Sequence, residues 1–136
     1  MPNSFVDSMD KHAQIQWTLA SDAPHDTFRE LPWTIRRTPL ISNILMHAPH
    51  IFGLQEVLKR QLSDITNGLH TYAPLDEWDH VGVGRDDGAD RGEFSPICYK
   101  KSSFELVEWE YFWLSTTPER PSKGWDAGHY RICTGK

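Results

Sequence analysis

The chain has 136 residues, enough for one hydrophobic core and no more than one domain. Apolar residues make up 38% of it, with six Trp, six Phe and four Tyr, and charged residues are well mixed, which excludes a disordered chain. The net charge of −5 argues against sequence-independent nucleic-acid binding, and two cysteines, Cys98 and Cys133, make neither a disulfide framework nor a zinc site.

Residues 1–12 read as a flexible, solvated lead-in, followed by one domain over 13–136. The start of the chain is polar and lacks the apolar segment of a secretory signal, and no run is long enough to span a membrane. The expected location is therefore cytoplasmic by default, with no membrane partner.

Residues 13–20 alternate apolar and polar, the period of a half-buried strand. A helix is expected over 34–47, with Leu40, Ile44 and Leu45 inward and Pro39 tolerable only near the first turn. His47 and His50 flank Pro49 at the helix end, where the backbone dipole favours histidine irrespective of any metal. Residues 51–57, Ile-Phe-Gly-Leu-Gln-Glu-Val, read as a buried strand. Gln55 and Glu56 are costly to bury alone, so the strand is expected to emerge at a site. Glu56 is then a candidate ligand for a hard cation, against the plainer reading of a capping or ion-pairing glutamate.

A second helix is expected over 58–69, because Leu58, Leu62, Ile65 and Leu69 form one stripe. Residues 70–76 connect it to a strand over 78–84. Residues 85–92 pack charges and glycines into a turn that fits neither a calcium loop nor a phosphate loop. Strands over 93–100 and 104–114 are expected to pair as an antiparallel hairpin, with Trp109, Tyr111 and Trp113 on one face. Residues 115–136 read as a long loop rich in Pro, Gly and charge.

Several short segments occur in a fixed order: Leu54-Gln55-Glu56-Val57, Gly82-Val83-Gly84-Arg85-Asp86-Asp87-Gly88, Gly92-Glu93-Phe94-Ser95-Pro96-Ile97 with Tyr99-Lys100, Phe112-Trp113-Leu114-Ser115, Ser122-Lys123-Gly124-Trp125-Asp126, and Arg131-Ile132-Cys133-Thr134. Together, over about residues 13–134, they resemble the first half of the endonuclease/exonuclease/phosphatase superfamily, of the phosphatase-like branch. The resemblance implies an α/β chain of the α+β type. It would be about half of a four-layer sandwich, with one mixed sheet and helices on one face. It implies Glu56 as a magnesium ligand, with manganese as an alternative ion. It further implies catalytic roles for Glu93, orienting neighbours of the metal site, and for Tyr99, with its hydroxyl near the scissile phosphate, and it implies Arg85, Lys123 and Arg131 as substrate contacts. Thr18 stands where the family has a metal-binding Asn, Ala20 where it has an Arg, and His50 where it usually has Asp. Weak or absent metal binding is therefore expected of this chain. Asp22 matches an acidic position.

The family's later motifs, a phosphate-contacting His, Gly-Asp-x-Asn and Ser-Asp-His, do not occur in this sequence. The expectation is a truncated magnesium-dependent phosphoesterase, inactive by itself, acting in the full domain on a small phosphoester rather than a nucleic acid. The alternatives are half of a two-chain enzyme and a non-catalytic interaction module. In each case an apolar sheet face is left for a partner chain or a second copy to cover.

Overall fold

The computed structural model describes residues 31–135, so the expected strand over 13–20, with Thr18, Ala20 and Asp22, lies outside the described residues. In chain order the elements are α1 (Trp33–His47), β1 (Ile51–Gly53), β2 (Val57–Leu58), α2 (Lys59–Tyr72), β3 (Trp78–Val81), β4 (Glu93–Phe94), β5 (Ile97–Lys100), β6 (Glu110–Trp113) and β7 (Ile132–Gly135).

Helix α1 begins ahead of Pro39, although proline removes one helical hydrogen bond. Tertiary anchors hold its first turn. The Ile35 and Arg36 amides donate to the Pro32 carbonyl, at 2.9 and 3.2 Å. The Trp33 indole N–H donates to Asp64 of α2 at 2.7 Å, and Arg37 lies 3.9 Å from the same carboxylate. Ile41 is the buried residue of this helix, while Leu40, Ile44 and Leu45 pack half-buried against the core. Ala48 ends α1 in the left-handed region at φ 44°, and Pro49 follows, which prevents continuation.

The apolar stripe of α2 is Leu62, Ile65 and Leu69, all buried. Leu58 instead stands at the N-cap, exposed, where its amide donates to the Gln61 side chain at 2.9 Å. The helix runs on to Tyr72, past the expected end at 69, because His70 accepts a hydrogen bond from the Trp78 amide at 3.2 Å and ties the last turn to β3. The helices meet at Gly68, where a Cβ would collide with the Ile41 side chain.

The α/β composition is as expected, and the strands fall into three small antiparallel ladders where a single mixed sheet was expected. The first has the order β1-β5-β3, with Phe52 and His80 both opposite Cys98. Strand alternation sends Phe52, Trp78 and Cys98 into the core beneath the helices, and the Phe52 and Trp78 rings meet edge-on at 5.2 Å. On the opposite face, Ile51, Val81, Ile97 and Tyr99 line an apolar cavity of about 210 Å³, partly covered by Phe104, Leu106 and Trp109. Ile51 remains half exposed there.

The hairpin expected between 93–100 and 104–114 does not form. Both edges of β5 are taken, by β1 and by β3, so β6 pairs with β7 instead. Of 104–114 only Glu110–Trp113 is strand. The expected continuous strand over 51–57 divides into β1 and β2, since Glu56 sits at φ 53° and breaks the extended path. Residues 54–56 thereby carry the chain from the first ladder to the second, β2-β4, where Val57 is opposite Phe94 and Leu58 opposite Glu93.

Candidate active site

The break at Glu56 lifts its carboxylate out of the ladder into a cleft of about 170 Å³. Gln55 and Glu56 come from the β1–β2 junction, Arg85 from the loop over 84–92, Glu93 and Ser95 from β4 and its continuation, and Leu114, Tyr130, Arg131 and Ile132 from β6, β7 and their connection. Ion pairing sets the geometry. Arg131 Nη1 lies 3.5 Å from Glu56 Oε1, with both side chains half or more exposed. A long, solvated pair of this kind holds its partners weakly, so both remain free to meet a ligand. Arg85 and Glu93 form a closer, more buried ion pair, and the Arg85 amide donates to the Glu93 carbonyl at 3.0 Å.

The loop carrying Arg85 is fixed from outside. The Trp113 indole N–H donates to the Arg85 carbonyl at 2.7 Å, and Gly88, at φ 71°, packs under the Trp113 and Tyr111 rings. A side chain at position 88 would meet those rings as well as a strained backbone. Within the loop, Asp87 accepts from the Ala89 and Arg91 amides at 2.8 and 3.1 Å, and the Arg91 hydrogen bond is the leading cause that holds its carboxyl below the usual range. Tyr111 and Trp113 meet edge-on at 5.7 Å, and Trp109 lies 5.8 Å from Tyr111, so the three rings share a face as the alternation of 109–113 predicts.

Four of the six residues singled out in the sequence, Glu56, Arg85, Glu93 and Arg131, line this one cleft. Tyr99 lines the apolar cavity on the open face of the first ladder, where burial, followed by the neighbouring Asp79 carboxylate, pushes its hydroxyl up. Lys123 lines a second cleft with Asp86, Arg91, His129 and Tyr130. His47 and His50 engage the Asn43 carbonyl and the Ser103 hydroxyl, at 2.9 and 2.6 Å. Among the described residues no group of three or more His, Cys, Asp or Glu converges as a metal cage. Sequence reasoning missed Tyr130, a wall of both clefts, whose one available signal was its position next to Arg131.

No protein-family model and no curated protein matches the chain. Solved structures do match. A mannosyl-6-phosphatase from Bacteroides thetaiotaomicron VPI-5482 is 44% identical with a TM-score of 0.69, and the match covers 75% of this chain and 36% of that one. An endonuclease/exonuclease/phosphatase family protein from Bacteroides thetaiotaomicron has the same identity, TM-score and share of this chain, and 34% of its own length is covered. A third, from Bacteroides vulgatus, is 38% identical with a TM-score of 0.68 over 83% of this chain and 41% of that one. This chain thus spans about a third to two fifths of the structures it matches, and over that span it groups, by sequence and by fold, with the endonuclease/exonuclease/phosphatase family.

Proposed function

We propose that the Glu56 cleft is the metal- and phosphate-binding part of a magnesium-dependent phosphoesterase site that acts on a phosphate ester of a small, sugar-like molecule. The single observation that carries this reading is the conformation of Glu56. A non-glycine residue at φ 53° is strained, and such strain concentrates at functional sites. Here it presents a carboxylate to a cleft shared with an arginine.

The donor set fits magnesium, which binds through one or two carboxylates, several waters and substrate phosphate oxygens rather than a full protein cage. Glu56 would hold the ion. When bound, it would supply charge neutralisation at the phosphoryl oxygens. Arg131 would bind a phosphate oxygen through its paired guanidinium donors. Arg85 is committed to Glu93, so the pair would keep the rim loop in register rather than bind directly. Tyr130 would wall the substrate side. The mannosyl-6-phosphatase among the structural neighbours supports a phosphosugar as substrate, and the net charge of −5 supports a small molecule over a nucleic acid. The water-activating groups would come from the part of the domain that extends beyond this match in the related structures. The same part, or a partner chain, would cover the open apolar face.

Manganese titration of the isotopically labelled full chain tests the metal assignment without requiring turnover. Paramagnetic broadening is expected to be selective for amides 55–57 and 131–132 and to vanish in Glu56→Gln. Broadening that is uniform, absent, or unchanged in Glu56→Gln sinks it.

A further inference from the structure

Two adjacent residue pairs straddle a divide in the surface. Arg85 and Arg131 face the Glu56 cleft, while Asp86 and Tyr130, each one residue away, line a second and larger cleft of about 380 Å³. Tyr130 lines both, so the two clefts adjoin at this residue. The second cleft gathers Arg91 from the rim loop with Lys123 and His129 from the 115–131 segment. The Lys123 ammonium is steadied from two sides. It donates to the Gly128 carbonyl at 2.6 Å and lies 5.8 Å from the centre of the Tyr130 ring. An ammonium carries three donors, and this carbonyl uses one.

The backbone of Arg91 is pinned on both sides, its amide to Asp87 at 3.1 Å and its carbonyl accepting from the Asp86 amide at 3.0 Å. The lining sets one carboxylate, Asp86, against two cations, Arg91 and Lys123. The cleft therefore carries a positive surplus even though the chain as a whole is acidic, with a net charge of −5.

We propose that this cleft is an anion subsite for a second negatively charged group on the same small phosphoester, a phosphoryl or carboxylate substituent reaching over Tyr130 while the scissile phosphate lies beside Glu56 and Arg131. The inference rests on the phosphoesterase reading of the Glu56 cleft and narrows its substrate class to molecules with two anionic groups. Arg91 and Lys123 recognise the second group by charge-assisted hydrogen bonds, and Tyr130 supplies an apolar surface for the linking ring.

The test compares glucose 6-phosphate with glucose 1,6-bisphosphate by amide-shift titration of the full chain. The bisphosphate is expected to bind about fivefold or more tightly, and that ratio is expected to fall to within about twofold in both Arg91→Gln and Lys123→Met. An unchanged amide spectrum away from the substituted loop establishes that each variant is folded. Equal affinity of the two ligands in the unaltered chain, or a ratio that survives both substitutions, overturns the subsite. Failure of the parent reading looks different. The monophosphate would then leave the amides of 131–132 unshifted, and Arg131→Gln would not weaken it.

Discussion

Glu56, Ala48 and Trp125 hold left-handed backbone, with φ of 53°, 44° and 53°. Ala48 does so as a helix terminator, where the conformation is common. Glu56 does so between two strands, and for an L-residue with a β-carbon this costs about 1–2 kcal/mol. Glycine relieves that strain but gains more freedom in the unfolded chain, which returns part of the benefit. Glu56→Gly is accordingly expected to raise stability by up to about 1 kcal/mol in urea unfolding while removing the selective manganese effect. A variant that loses stability would show that the Arg131 pair, not backbone strain, dominates at this position. A gain in stability alongside loss of binding is the pattern of a residue kept for its chemistry.

At the scale of elements, the rim loop takes its position from strand β6. The Trp113 indole is buried and its N–H has one partner, the Arg85 carbonyl. Trp113→Phe keeps the aromatic packing and takes the indole partner from that part-buried carbonyl, an expected cost of about 1 kcal/mol. Amide hydrogen exchange should rise at Gly84 and Gly88, whose amides close the loop onto Ala89 and Gly84, more than in α2. Equal acceleration everywhere would mean that Trp113 supports the global fold instead. The helices were legible in the sequence because Leu62, Ile65 and Leu69 repeat at helical spacing, a signal that only burial produces. The strand segments were legible but their partners were not. Nothing local in 97–100 records that both edges of β5 are already occupied, so a hairpin with 104–114 looked natural from spacing alone. The candidate cleft was legible at Glu56, Arg85, Glu93 and Arg131, which ordered short motifs mark and which line it together. Tyr130 was not, because a wall between two clefts is defined by the meeting of distant segments.

Across the whole molecule, the first ladder buries Cys98 completely, and that burial, followed by the nearby Asp79 carboxylate, pushes its thiol from 9.0 up to about 12. Tyr99, the next residue, is raised in the same direction by burial and then Asp79. A folded-state value above the unfolded one means that the unfolded chain releases the proton first. The stability contributed by the neutral thiol is therefore complete below pH 9.0 and drains away as pH rises toward 12, by up to about 4 kcal/mol. Urea midpoints are expected to be level up to pH 9 and to fall above it, with a shallower fall in Cys98→Ala; an equal slope in that variant would assign the loss to other groups. The bond from Trp113 to the Arg85 carbonyl has a different kind of consequence. The indole grips the peptide backbone and not the Arg85 side chain, so the loop's location is encoded outside the loop. Substitutions at loop side chains that take no part in its internal bonds, unlike Asp87, the glycines and the Arg85–Glu93 pair, leave the scaffold in place, and an evolving lineage can explore new ligands at this rim without first having to reinvent the fold beneath it.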